Sequence, residues 1–284
     1  DLVKEGYDSY QERLGKTYAP IRINVLTSEE AAGVSRTVMG RREGFVHVSH
    51  LAGPLPFFTY GPYWGYHYFD AISNHRDGAA GIARKNDDRF ADEFVSTSES
   101  LSYEKAVSTY RGEMVGEFGW LYDKVKVALS TLLSGGFKEV EFLSERMSVP
   151  GFHVILSHKA WEYPVFRFHT DESSALLLEG MKGVEDETVL DGCDPTSRIS
   201  FTLPLNLPGG GGGLNYVDFE SGGEWETIGV SRADYEVGEL VLHSGLLVHQ
   251  IGEWKMDRGG SEIDARITLQ GFGFECNGAW KIYW

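Results

Sequence analysis

GELVLHSGLLVHQIGEW, residues 238–254, is the stretch on which the reading of the fold turns. Leu240, Val241 and Leu242 make a short apolar run that His243 closes. Ser244-Gly245 then turn the chain, and a second apolar run, Leu246 to Val248, leads into His249. Two short runs separated by a small-residue turn describe consecutive β-strands rather than a helix. The same texture extends in both directions. Strand-like runs lie at 138–146, 152–157, 164–169, 174–178, 198–206, 213–217, 237–243 and 264–274, with turn residues such as Pro150-Gly151 and Gly209 to Gly213 between them. Many short strands at this spacing indicate a sandwich or barrel, and eight fit a double-sheet jelly roll. The expected fold is therefore mainly β with flanking helices: a jelly-roll (double-stranded β-helix) core over 137–284. A helical, irregular and aromatic-rich part over 1–136 is expected to pack on it as one compact unit.

Ahead of the β region, Val107, Tyr110, Met114, Phe118, Leu121, Val125, Leu129 and Leu132 recur at steps of three and four, which predicts a helix over 103–133 with one apolar stripe. Gly135-Gly136 end it. Thr27-Ser28-Glu29-Glu30 reads as the start of a shorter helix, with a hydroxyl cap and early acids. Residues 54–70, PLPFFTYGPYWGYHYFD, fit neither period and suggest a packed loop over a pocket or an aromatic minicore.

The chain has 284 residues, 42% of them apolar, and a formal net charge of −16. That is enough apolar material for a core, with no run long enough to span a membrane. The acidity, with no basic patch, disfavours nucleic acid as a partner. The expected setting is the cytoplasm or another soluble compartment, with a targeting segment lost by trimming left open. Two cysteines, Cys193 and Cys276, exclude a disulfide-dense scaffold and a cysteine-rich zinc site, and allow one bridge.

A metal held by two histidines and one carboxylate on one face keeps its other positions open to ligands. A His-x-Asp pair at strand spacing supplies two of the three, because the period of two puts both side chains on one side. The pair occurs twice. His75-Arg76-Asp77 lies in SNHRDG, which is turn composition. His169-Thr170-Asp171 follows the apolar Val165-Phe166-Arg167-Phe168 inside the β region, and is preferred. For the distal histidine, His243 and His249 both qualify on periodicity alone.

Taken together, FRFHTDESS (166–174), RISFTLPLNLPGGGGGLNYV (198–217), GELVLHSGLLVHQIGEW (238–254) and ARITLQGFGF (265–274) resemble the catalytic core of iron(II)- and 2-oxoglutarate-dependent dioxygenases, closest in texture to the prolyl- and lysyl-hydroxylase branch. The likeness covers roughly 150–275, and its order is more specific than any single piece. It implies that His169, Asp171 and His249 ligate iron and form the catalytic centre, with His243 at a strand end beside it. It implies that Arg266 holds the distal carboxylate of 2-oxoglutarate, with Thr268 as a hydroxyl donor two positions on. The planar fork of Arg suits a carboxylate. The His249–Arg266 separation is longer than is usual in the family. Arg258, nearer to His249 but in a polar Gly-containing loop, ranks second as the anchor.

The implied cofactor and co-substrates are Fe(II), 2-oxoglutarate and O2, with ascorbate to keep the iron reduced. The implied reaction is hydroxylation of an unactivated C–H bond, or desaturation or oxidative cyclisation, as used in biosynthesis. A carboxylate at 171 argues against halogenation. The substrate expected is small and amino-acid-like or a natural product, contacted by Arg167, Trp161, Tyr163 and Trp64. Rival readings are a protein side-chain hydroxylase, a cupin-like metalloenzyme that does not use 2-oxoglutarate, and a non-enzymatic β-sandwich binding module.

Overall fold

The structure, a computed structural model, describes residues 19–48, 54–62, 103–134, 138–163, 166–171, 192–210, 212–218, 229–254 and 263–284. In chain order the elements are β1 (Ile21–Asn24), α1 (Ser28–Met39), β2 (Phe45–His47), β3 (Phe57–Tyr60), α2 (Tyr103–Ser134), β4 (Val140–Phe142), β5 (Gly151–Leu156), β6 (Cys193–Asn206), β7 (Gly213–Asp218), β8 (Gly229–Asp234), β9 (Glu239–Ser244), β10 (His249–Ile251), β11 (Ala265–Cys276) and β12 (Ala279–Tyr283). Among the described residues the strands form two sheets. A nine-stranded sheet runs β1-β9-β6-β11-β5-β3-β2, with β12 beside β11 and β4 beside β12; a three-stranded sheet runs β10-β7-β8.

The registers show which side chains share a face of the large sheet. Thr268 lies across from His153 on one side and Pro204 on the other; His153 in turn lies across from Thr59, and Ser200 across from His243. Partners directly opposite point the same way, so one face carries Arg266, Thr268, His153, Thr202, Ser200 and His243. The alternate residues, Ile267, Leu269, Phe152, Val154, Phe201, Leu203, Leu240 and Leu242, make the other face. They join the buried cluster that includes Met114, Phe118, Leu121, Val125 and Leu129 of α2 and Ala31, Val34 and Val38 of α1. Helix α2 thus covers the outer face through its predicted stripe, with Phe118 and Phe152 ring centroids 4.8 Å apart. Helix α1 starts at a capping box, in which the Thr27 side chain accepts from the Glu30 N–H and the Glu30 carboxylate accepts from the Thr27 N–H.

Residues 138–146, 152–157, 198–206, 213–217, 237–243 and 264–274 each contain a strand, and 174–178 lies outside the described residues. Of the run expected at 164–169, residues 166–169 are described and form no strand; among them His169 alone pairs, in an isolated bridge with His249. The sheet also recruits strands from ahead of α2. β1 pairs with β9 at one edge, and β2 and β3 extend the other edge beyond β5. β1 is admitted by Gly238, whose φ of +85° turns its backbone against Leu26; a Cβ at 238 would stand 2.3 Å from the Leu26 carbonyl oxygen. Cys193 and Cys276, opposite one another on β6 and β11, form a disulfide. No helix among the described residues is long and apolar enough to cross a membrane.

Candidate metal centre and anion pocket

His249 starts β10 at the mouth of the space between the sheets. Its backbone exchanges two hydrogen bonds with His169, the His169 N–H to the His249 carbonyl at 2.9 Å and the reverse at 2.8 Å. The next turn is fixed by the Asp171 N–H donating to the Gly245 carbonyl at 2.9 Å. These main-chain bonds, rather than strand alternation, bring the His-x-Asp pair against the distal histidine. His169, Asp171 and His249 offer one ligand atom each, all within 4.8 Å of one another. His249 Nε2 is 3.6 Å from Asp171 Oδ2, and His169 Nε2 is 3.9 Å from Asp171 Oδ1.

Both rings are oriented from behind. Nδ1 of His169 lies 2.9 Å from the Arg167 carbonyl and Nδ1 of His249 lies 2.8 Å from the Leu247 carbonyl. A carbonyl only accepts, so Nδ1 carries a proton, which leaves Nε2 as the atom of each ring that can offer a lone pair. Burial holds His249 below the usual imidazole pKa, which favours that neutral donor form. Burial alone would raise the Asp171 pKa, but His249, His243, His169 and the Ser200 hydroxyl outweigh it and keep the carboxyl low. His243, the other histidine that periodicity allowed, is buried with its ring centroid 4.6 Å from that of His249. It stands beside the three without joining them, and burial lowers its pKa to about 4.

Further along the same polar face lies Arg266, fully buried. None of its three guanidinium nitrogens has a hydrogen-bond partner among the described residues. Two aromatic rings flank it, Tyr235 at 5.5 Å and Trp254 at 5.7 Å from the guanidinium carbon to the ring centroids. Gly212, at φ +93°, closes a third side; a Cβ there would stand 3.3 Å from Arg266 Nε. At that position a glycine lets the chain pass close to the guanidinium. The indole N–H of Trp254 is also buried without a partner among the described residues. Burial lowers the Arg266 pKa, and the side chain remains a cation in want of an anion. Thr268, two positions on, is also fully buried on this face.

The expected substrate contacts distribute differently. Trp161 does not line an open pocket. It is fully buried, stacked on Phe166 at 5.5 Å and on Trp254 at 5.4 Å, and its indole N–H donates to the Leu156 carbonyl. Its place is behind the anion pocket, supporting Trp254. Tyr163 and Arg167 are exposed, and Trp64 lies outside the described residues, as do His75, Asp77 and Arg258. Tyr235 and Trp254 were not anticipated. Their only sequence signal is an aromatic residue shortly before and after the 238–249 stretch, which is indistinguishable from core.

No family model matches this chain, and no curated protein matches it. Solved structures do. One is SnoN, described as an epimerase from nogalamycin biosynthesis, in complex with Fe3+, alpha ketoglutarate and nogalamycin RO. It is 13% identical over 95% of this chain and 88% of its own, with a TM-score of 0.45. A Pseudomonas putida prolyl-4-hydroxylase is 16% identical over 96% of this chain and 100% of its own, TM-score 0.39. An N-substituted L-amino acid dioxygenase from Burkholderia ambifaria, in complex with alpha-KG, is 14% identical over 63% of this chain and 71% of its own, TM-score 0.30. Similarity at this level carries no argument about activity; the geometry of the site has to carry it.

Proposed function

We propose that the chain is an iron(II)- and 2-oxoglutarate-dependent oxygenase acting on a small amino-acid-like or natural-product substrate. The observation that carries the reading is Arg266. A fully buried guanidinium whose three nitrogens have no partner among the described residues is costly to a fold unless an anion meets it. It lies on the same inward face as the residues beside the His-Asp-His group. A dicarboxylate with a metal-chelating end fits both halves at once. The donor set fits as well, since two neutral imidazoles and one carboxylate suit a divalent iron and leave positions open.

His169, Asp171 and His249 would hold the metal, with the Arg167 and Leu247 carbonyls fixing the two rings. Arg266 would take the distal carboxylate of the co-substrate in two charge-assisted hydrogen bonds, with Thr268 adding a third. Tyr235, Trp254 and Trp161 exclude water from that end and so strengthen the ion pair. Bound iron with 2-oxoglutarate and dioxygen would supply the two-electron oxidation of a substrate C–H bond, coupled to release of succinate and carbon dioxide. Arg167, exposed and two residues before His169, is the candidate to meet a substrate carboxylate.

Anaerobic titration of 2-oxoglutarate into the iron-loaded protein, followed through the metal-to-ligand absorbance band, tests the reading. Arg266→Ala should weaken binding by ~2–4 kcal/mol while iron stays bound, and Arg258→Ala should leave affinity unchanged. No band in the unaltered protein would overturn the 2-oxoglutarate reading. A loss in the Arg258 variant alone would move the anchor to the loop. Succinate formation across a panel of amino acids and their derivatives then tests the substrate class.

A further inference from the structure

We infer that Ser200 is a positioning residue for the metal: its hydroxyl ties down one oxygen of Asp171, so that the carboxylate offers the ion the other oxygen alone. The inference rests on the proposed reading only in taking His169, Asp171 and His249 for a metal centre.

Asp171 follows an isolated bridge, so no strand ladder fixes its side chain. Ser200 is placed very differently. It sits inside β6 with ladders on both sides, across from Phe272 of β11 and from His243 of β9, and it is 4% exposed. Its Oγ donates to Asp171 Oδ2 at 2.5 Å. A rigid strand thus supplies the reference point for a carboxylate on irregular backbone, the arrangement by which a group behind a ligand sets that ligand's direction.

The bond also divides the labour between the two oxygens. Oδ2, accepting a short hydrogen bond, has part of its charge engaged by a proton, which leaves Oδ1 as the better donor to a cation. The choice affects how many positions the metal keeps. An octahedral ion with three protein ligand atoms keeps three positions, and a carboxylate that closed on it with both oxygens would take one of them. Holding Oδ2 on Ser200 preserves the open face that a chelating co-substrate and a third ligand would need.

Thr202, the next residue on that face of β6, provides the control. It lies one step further along the strand than Ser200, across from Gln270 of β11 and Val241 of β9. The experiment is anaerobic titration of Co(II) alone, by calorimetry and by visible absorption, into the unaltered protein and into Ser200→Ala, Ser200→Cys, Ser200→Thr and Thr202→Val. Ser200→Ala should lose cobalt affinity ~10- to 100-fold, the usual cost of removing a group behind a ligand, and should change the ligand-field spectrum. Ser200→Cys, with a weaker donor, should fall between and stands in should the alanine variant not fold. Ser200→Thr should restore both signals, and Thr202→Val should leave both unchanged. Unchanged affinity and spectrum in the Ala and Cys variants would overturn the inference, and so would an equal loss in Thr202→Val, which would mark a general loosening of β6. No cobalt uptake by the unaltered protein would instead overturn the metal reading itself.

Discussion

Over residues 266–269 the two faces of β11 are buried to the same extent and finished in different ways. Ile267 and Leu269 point outward, Arg266 and Thr268 inward, and all four are fully buried. The outward pair meets Phe152, Val154 and the stripe of α2 within one continuous apolar cluster. On the inward side two aromatic rings flank the guanidinium, which has no acceptor among the described residues. One face is completed by apolar packing within the chain. The other holds a charge that has no acceptor among the described residues. Burial does not distinguish a structural residue from a functional one along this strand; the state of the hydrogen-bonding groups does.

Substitutions can pull these two faces apart. The largest effect belongs at the metal end of the polar face, where Asp171→Ala or His249→Ala should abolish stoichiometric metal binding, read by calorimetry, while far-ultraviolet circular dichroism keeps its β signature. His75→Ala with Asp77→Ala should leave metal binding intact. If that double variant loses the metal and the 171 and 249 variants keep it, the wrong pair has been assigned. On the apolar face, Leu269→Ala should cost about 2–5 kcal/mol of stability in denaturant unfolding, the range for deleting a large buried side chain. Its folded fraction should bind 2-oxoglutarate normally.

Arg266→Leu should behave in the opposite sense. Without ligand the variant should be as stable as the unaltered protein or more so, by up to ~1–4 kcal/mol, because an unpaired buried charge has been replaced by apolar volume. Its response to 2-oxoglutarate in a thermal melt should vanish. A marked loss of stability in the absence of ligand would show that Arg266 is satisfied within the fold, and the contrast between the faces would collapse.

A smaller effect comes from His153, across from Thr268 on the polar face. Burial, reinforced by the nearby Arg266, depresses its pKa to about 3. The unfolded chain protonates the same ring near pH ~6.5, so over the interval between the two values the unfolded state binds more protons than the folded one. This contribution to stability is therefore present above pH ~6.5 and is lost as pH falls toward 3, at about 1.4 kcal/mol per pH unit. Unfolding curves for His153→Leu should lack that slope between those limits. An identical slope in the variant would assign the dependence elsewhere.

Much of this was legible in the residues. The 3–4 spacing from Val107 to Leu132 gave α2 and the face it covers. The apolar runs at 198–206, 237–243 and 264–274 gave the central strands, because a strand buried on both faces is apolar or small almost throughout. What escaped was short or polar. β8 reads GVSRAD and buries only Ala233, so it has no apolar signal. β1 and β2 are edge strands of four and three residues that acquire their identity from β9 and β3. At the site, the His-x-Asp pair and its distal partner were readable as residue types. The choice of His249 over His243 came from the resemblance and not from periodicity, since it depends on the main-chain bridge to His169. Likewise Arg266 could be placed on the inward face by alternation, but its aromatic sandwich joins residues far apart in sequence, and Ser200 gave no signal at all. Trp161 shows the reverse error: an aromatic near the motif invites a role at the substrate, and packing sends it into the wall.

The disulfide between Cys193 and Cys276 has a mechanical consequence. It ties the chain into a covalent ring with a sequence separation of 83 residues. Ser200, His243, His249 and Arg266 lie inside the ring; His169 and Asp171 lie on the free chain that leads into it. Pulled by its two ends, the protein would hide about 270–300 Å of chain behind the bridge, at ~3.3–3.6 Å per extended residue. Tension would reach the site as a pull on one member of each pair, drawing His169 away from His249 and Asp171 away from Ser200. The metal centre would come apart along the line between ring and tail, with the anion pocket left closed inside the loop.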